Sequence, residues 1–177
     1  MTDAAIEIPS PVGAINLRPE RDEDQEFRYR LFCDSRPAEF ALLLPPPAFQ
    51  KIMRFQFEAQ STSYRAEFPR ARFDIIELGS RPIGRIVVDR PGTKLHIVDQ
   101  AIVPALRNRG VGTAIMRTLM EEARLARVPL RLKVASSNDP SLRLYRRLGF
   151  MPTETAPLYI ELEWKPSAAA ADGIVSC

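Results

Sequence analysis

The chain has 177 residues, 45% hydrophobic and 27% charged, with a net charge of +3; that suffices for one domain with a full core and is ordinary for a soluble globular protein. No Lys/Arg block interleaves with aromatics, so nucleic acid is not an expected partner, and no apolar run reaches the length of a membrane span. The start, Met1 to Glu7, lacks the basic and apolar parts of a signal peptide, and Cys33 and Cys177 are too few and too distant for a disulfide framework or a metal site, which leaves two free thiols in a reducing cytoplasm as the expectation.

Residues 1–12 carry prolines without periodicity and read as a flexible N-terminal arm. Ala14 to Leu17 alternates as a short strand, and Asp22 to Cys33 places Phe27, Leu31 and Phe32 at helical spacing before Arg36-Pro37 stops it. Leu44-Pro45-Pro46-Pro47 is a stiff connector whose last proline suits the first turn of a helix striped by Phe49, Ile52, Met53 and Phe57. Residues 58–71 read as helix end or loop. Phe73 to Leu78, Pro82 to Val88 and Lys94 to Val103 are then strands, joined by short turn segments that make them an antiparallel meander.

Arg107-Asn108-Arg109-Gly110-Val111-Gly112 follows this meander and opens an amphipathic helix, with Val111, Ile115, Met116, Leu119, Met120 and Ala123 on one side. A glycine-rich turn at a helix N-terminus presents free N–H groups and the positive end of the helix dipole, which together hold phosphate oxygens. Leu130 to Val134 alternates as a strand; Asp139-Pro140 starts a short helix that Gly149 ends; Leu158 to Trp164 is a last strand. Residues 167–177 read as a disordered tail, leaving one domain over 13–166 with no internal repeat.

Three ligand classes use glycine loops. A P-loop requires a lysine after its last glycine, and here Gly112 precedes Thr113. A dinucleotide fold requires a third small residue where Ile115 stands, and a βαβ setting that a meander does not give. The third reading takes in the sequence further on. Val103-Pro104, Arg107-x-x-Gly110-x-Gly112, a helix, a strand, Asn138 and Leu144-Tyr145-Arg146-Arg147-Leu148-Gly149-Phe150 follow in order. This resembles the GNAT superfamily of acyl-CoA-dependent N-acyltransferases, specifically over 84–150 and by order of elements elsewhere. Ser141 departs from the alanine common at its position.

The resemblance implies an α/β (α+β) fold: a mixed, mostly antiparallel central sheet of six to seven strands, flanked by about four helices, with a splayed parallel pair, Lys94 to Val103 and Leu130 to Ala135. It implies acetyl-CoA as co-substrate, its pantetheine arm in the splay against main chain released by a bulge near Ile102-Val103, and its diphosphate on the N–H groups of Arg109, Gly110, Val111, Gly112 and Thr113. A side chain at either glycine would hold the phosphates off. Arg107 at the motif position is expected to add a charged contact; Arg109 reads equally as a contact or a solvated charge. Asn138 either touches pantetheine or caps the following helix, and Ser141 lies beside the thiol end. Arg146 and Arg147 read as helix coating.

The implied reaction is attack of a primary amine, on a small molecule or a peptide, upon the thioester in a ternary complex. Tyr145 matches the family tyrosine and is the candidate proton donor to the leaving thiolate; the oxyanion donor is expected to be a backbone N–H near Val103. Asp99 is the preferred base, with His96, Glu77 or a water relay as alternatives. Asp99 and His96 are three apart and face opposite sides of a regular strand unless a bulge intervenes. The alternative function is a non-catalytic acyl-CoA-binding or sensor module, and a third is a partner-binding surface over 40–68. A homodimer is compatible with the resemblance.

Overall fold

The alternating runs of the sequence have one place to go, a single sheet with each face covered by helices. The computed structural model describes residues 6–36 and 45–167; Leu44 of the expected connector and residues 168–177 of the expected tail, Cys177 among them, lie outside the described residues. In chain order the elements are β1 (Ile6–Ile8), β2 (Ile15–Pro19), α1 (Gln25–Asp34), α2 (Pro46–Glu67), β3 (Arg72–Leu78), β4 (Arg81–Asp89), β5 (Leu95–Ile102), α3 (Val111–Ala126), β6 (Leu130–Ala135), α4 (Asp139–Arg147), β7 (Met151–Thr155) and β8 (Tyr159–Trp164). The strands form one sheet in the order β1-β2-β3-β4-β5-β6-β8-β7. Every pairing is antiparallel except β5 with β6.

The sheet has eight strands, against an expectation of six to seven. The two extra strands sit at its edges. β1 arises inside the expected N-terminal arm, three residues long and followed by Pro9 and Pro11, too short to show a period. Its Ile8 is nonetheless buried. β7 occupies the expected loop before the last strand, and all five of its residues are exposed, so no buried face patterns its sequence.

One face of the sheet carries α3. Val111, Ile115, Met116, Leu119 and Ala123 pack there with Ile15, Leu17, Ile86, Val88, Leu95 and Ile97. The other face carries α1 and α2, where Phe32, Met53 and Phe57 form a smaller cluster with Tyr29 edge-on to Phe57. α2 continues to Glu67, past the end of its apolar stripe at Phe57. Its last turns are mostly polar and are held by charge, Arg65 pairing with the buried Glu20 side chain.

Below α1 a second ion pair fixes the chain's first crossing. Arg18 on β2 grips Asp24 through two nitrogens at 2.7 and 2.8 Å and Glu77 through a third at 2.8 Å. The Arg18 guanidinium and the Arg21 N–H hold the Asp24 carboxyl below its ordinary 3.8, against the desolvation that would raise it. A carboxyl lowered in the folded state stabilises the fold above its unfolded value and loses that contribution as pH falls through the folded value. The urea midpoint is therefore expected to drop between about pH 5 and pH 2, and Asp24→Asn is expected to flatten that drop, measured by fluorescence-monitored denaturation.

Candidate active site

The site forms where β5 and β6 part. Their parallel register runs Leu95↔Leu130, His96↔Arg131, Ile97↔Leu132 and stops, although the strands continue to Ile102 and Ala135. Opposite β4 the register jumps from Val88↔Ile97 to Val87↔Asp99, so Val98 is an extra residue in β5. The bulge expected at Ile102-Val103 thus lies earlier, at Val98. Its effect is to exchange the faces of the strand. Leu95 and Ile97 look toward α3; beyond the bulge, Gln100 and Ile102 take that face, within 3.8 and 3.5 Å of a Cβ placed on Gly112. Asp99 turns to the α2 face, the side on which His96 stacks edge-on to Phe68 at 5.3 Å.

The Val103 N–H donates to the Ile83 carbonyl at 2.9 Å. It is therefore spent within the sheet, and a backbone donor near Val103 has to come from a neighbouring residue. In an antiparallel ladder alternate residues bond to the same neighbour, so the main chain of Gln100 and Ile102 faces the open side. The Gln100 N–H serves the Asp99 carboxylate, and the Ile102 carbonyl accepts from Arg107 Nε at 2.9 Å. The Ile102 N–H is the donor left facing the splay.

Arg107 makes a second backbone contact. Its Nη2 donates to the Asp34 carbonyl at 2.9 Å, so its guanidinium ties the end of β5 to the end of α1. Arg109 is exposed and makes no hydrogen bond with the described residues. The loop itself has the required geometry. Asn108 and Gly110 take left-handed φ values of 58° and 86°, and the first helical bond of α3 is Ala114 N–H to Gly110 carbonyl at 3.0 Å. The N–H groups of Val111, Gly112 and Thr113 therefore have no acceptor in the helix. The two glycines serve different ends. A Cβ on Gly110 would meet Pro11 Cγ at 2.7 Å, whereas one on Gly112 would sit in ordinary van der Waals contact. A shallow pocket of about 270 Å³ adjoins this loop, lined by Pro9, Pro11, Gly110, Thr113, Ala114 and Arg117.

Across the splay, Asn138 caps α4, its Oδ1 accepting from the Ser141 N–H at 3.3 Å; of its two readings the structure displays the cap. Tyr145 on α4 is buried against Phe150, ring centroids 5.6 Å apart. Burial first, and the Asp99 charge second, push its hydroxyl up to about 12. Asp99 accepts from Arg85 Nη1 at 3.2 Å. Its side chain keeps 27% of its surface open, yet enclosure raises its carboxyl, with Arg85 opposing. Tyr64 on α2 is likewise pushed up to about 12 by burial and by Asp99.

The other two base candidates are not brought to this place. His96 lies on the paired stretch of β5 against Phe68, and burial with Lys94 nearby lowers it, leaving it neutral. Glu77 is engaged by Arg18. Two residues escaped the reading of the sequence. Gln100 points its side-chain Nε2 into the splay, buried and without a hydrogen-bond partner. Arg85 pairs with Asp99 from inside the sheet. Gln100 carried the same signal that singled out Asp99, a polar residue within the apolar run Leu95 to Val103.

A split parallel pair, a free helix N-terminus at its mouth and an orphan amide donor within it suit an extended ligand with a phosphate at one end and amide carbonyls along its length. That is the build of an acyl-CoA. The family model of the GNAT acetyltransferases matches residues 29–150. No curated protein sequence matches the chain. Among solved structures, PaiA N-acetyltransferase from Thermoplasma acidophilum, in complex with coenzyme A, is similar at 17% identity and a TM-score of 0.65, covering 85% of this chain and 98% of its own. An acetyltransferase from Thermus thermophilus is similar at 19% identity and a TM-score of 0.62, over 90% and 99% of the two chains. RimJ of Mycobacterium smegmatis, in complex with CoA-disulfide, gives 14% identity and a TM-score of 0.62 over 91% and 86%. The chain belongs to the GNAT family, acyltransferases whose acyl donor is acetyl-CoA. Among the described residues no helix is long and apolar enough to cross a membrane.

The two glycines separate fold from binding. Gly110→Ala is expected to lose about 1–2 kcal/mol from the left-handed conformation alone, with a further loss from displacing Pro11. Gly112→Ala is expected to melt with the wild type and to bind coenzyme A more weakly. Calorimetry of both variants checks the contrast.

Proposed function

We propose that the protein moves an acetyl group from acetyl-CoA to a primary amine, on a small molecule or a peptide, by direct attack in a ternary complex. What supports this reading is a tyrosine that burial and the Asp99 charge hold protonated, Tyr145, and a carboxyl raised by enclosure on the α2 side, Asp99, both on elements that border the β5–β6 splay. The N–H groups of Gly110, Val111, Gly112 and Thr113 hold the diphosphate, with the exposed Arg109 adding charge. The Gln100 amide receives a carbonyl of the extended arm, while the Asn138 cap sets the α4 N-terminus and Ser141 beside it.

Proton bookkeeping assigns the remaining roles. As the amine nitrogen bonds to the thioester carbon, it must shed one proton, which Asp99 takes. As the carbon–sulfur bond breaks, the sulfur must gain one, which Tyr145 gives. The Tyr145 phenolate is restored by the proton taken at Asp99, relayed through solvent, so the sum is amine plus thioester to amide plus thiol. The Ile102 N–H, next to Val103, is the backbone donor that faces the reacting carbonyl.

A panel of amines assayed for coenzyme A release tests the reading; no turnover with any amine, by protein that binds acetyl-CoA, refutes it. With an acceptor in hand, Tyr145→Phe is expected to lower kcat about 100-fold or more while coenzyme A affinity stays unchanged. Because the Tyr145 hydroxyl ionises only at about 12, the donor stays protonated across the working range, and no alkaline loss of rate below about pH 10 is expected from it. Gln100→Leu is expected to act in the opposite way. It weakens coenzyme A binding about fivefold or more, the worth of one hydrogen bond, with little effect on kcat at saturation.

A further inference from the structure

Arg85 is the arginine of β4 that points into the α2 side of the sheet, 5% exposed. Its Nε donates to Glu20 Oε2 at 3.0 Å and its Nη1 to Asp99 Oδ2 at 3.2 Å. Glu20 is itself enclosed, its side chain 4% exposed, and is held on its other oxygen by Arg28 at 3.2 Å and by Arg65. The Arg85 Nη2 is buried without a partner. Taking such a group out of water with a donor unspent is costly, and a well-packed apolar side chain would fill a purely structural position at lower cost. What the position gains is one planar cation spanning two carboxylates, which a single-point ammonium does not match.

We propose that Arg85 is a positioning residue for the acceptor-side carboxylate: anchored by Glu20, its guanidinium fixes Asp99 on the α2 side of the sheet and supplies its counter-charge. The proposal rests on the reading of Asp99 as the base. Without Arg85, enclosure of Asp99 would favour the neutral acid, which cannot take a proton. Among the described residues, the titratable and charged groups acting on Asp99 are Arg85 from β4, Arg36 from the end of α1, Tyr64 from α2 and Tyr145 from α4. Arg36 stacks on Phe32 at 4.3 Å and belongs to the exposed rim. Only Arg85 both touches the carboxylate and is held in place from behind.

The test uses the full chain labelled with carbon-13 at its aspartate carboxyls, the Asp99 signal being assigned by its loss in Asp99→Asn. In Arg85→Met the Asp99 titration midpoint is expected to rise by about one pH unit or more. In Arg85→Lys, which keeps charge but not the span, it is expected to rise less. Should Arg85→Met fail to fold, Arg85→Lys decides. A midpoint unmoved in a folded variant overturns the proposal. The acid limb of kcat/KM for an accepted amine is expected to shift by the same amount with coenzyme A affinity constant, whereas equal losses in both would mark a merely structural residue and overturn it. Asp99→Asn with the wild-type rate and pH profile removes the base, and with it the catalytic half of the proposal, independently of what the titration shows.

Discussion

Beyond Ile97 and Leu132 the two parallel strands no longer exchange hydrogen bonds, and the backbone of β5 must find partners elsewhere or leave them for a ligand. Each β5 group there has a traceable fate. Val103 bonds to Ile83, Ile102 gives its carbonyl to Arg107, and the Gln100 N–H turns to Asp99. The Ile102 N–H, with the free amides that start α3, is left over. The sheet's core packing, tight on the α3 face, keeps these donors in place.

The Val98 bulge gives this opening its two-sidedness. Without the extra residue, Asp99 would point at α3 and Gln100 at α2. With it, the amide meets the face where Gly112 lies and the carboxylate meets Arg85 and Tyr64. One inserted residue thus sends an amide and a carboxylate to opposite faces of a single strand. A bulge beside a reactive centre re-aims side chains in this way at small energetic cost.

Long-period features were legible in the sequence. The stripe of α3, the meander and the alternation of β6 and β8 each have one buried face, and burial is what writes a period into sequence. β1 and β7 bury little along their length, and the last turns of α2 bury little that is apolar, so none left such a trace. Within the site, Gly110 and Tyr145 stood out because their chemistry is local to a motif. The fate of Arg107 was not readable, since its acceptors, the carbonyls of Ile102 and Asp34, come together only when β5 meets α1. Nor was Arg85, for a cation inside a strand looks like a solvent-facing position until its neighbours Glu20 and Asp99 are known to be enclosed with it.

The 2.7 Å approach of Pro11 to the missing side chain of Gly110 joins two places far apart in sequence. The proline ring behind β1 is a backstop for the anion-binding turn, so the shape of that turn is inherited in part from the first few residues of the sheet. Room at either position is thereby restrained by the other: a bulkier residue in the turn demands a slimmer one behind it, and the edge of the sheet helps to shape the start of the central helix.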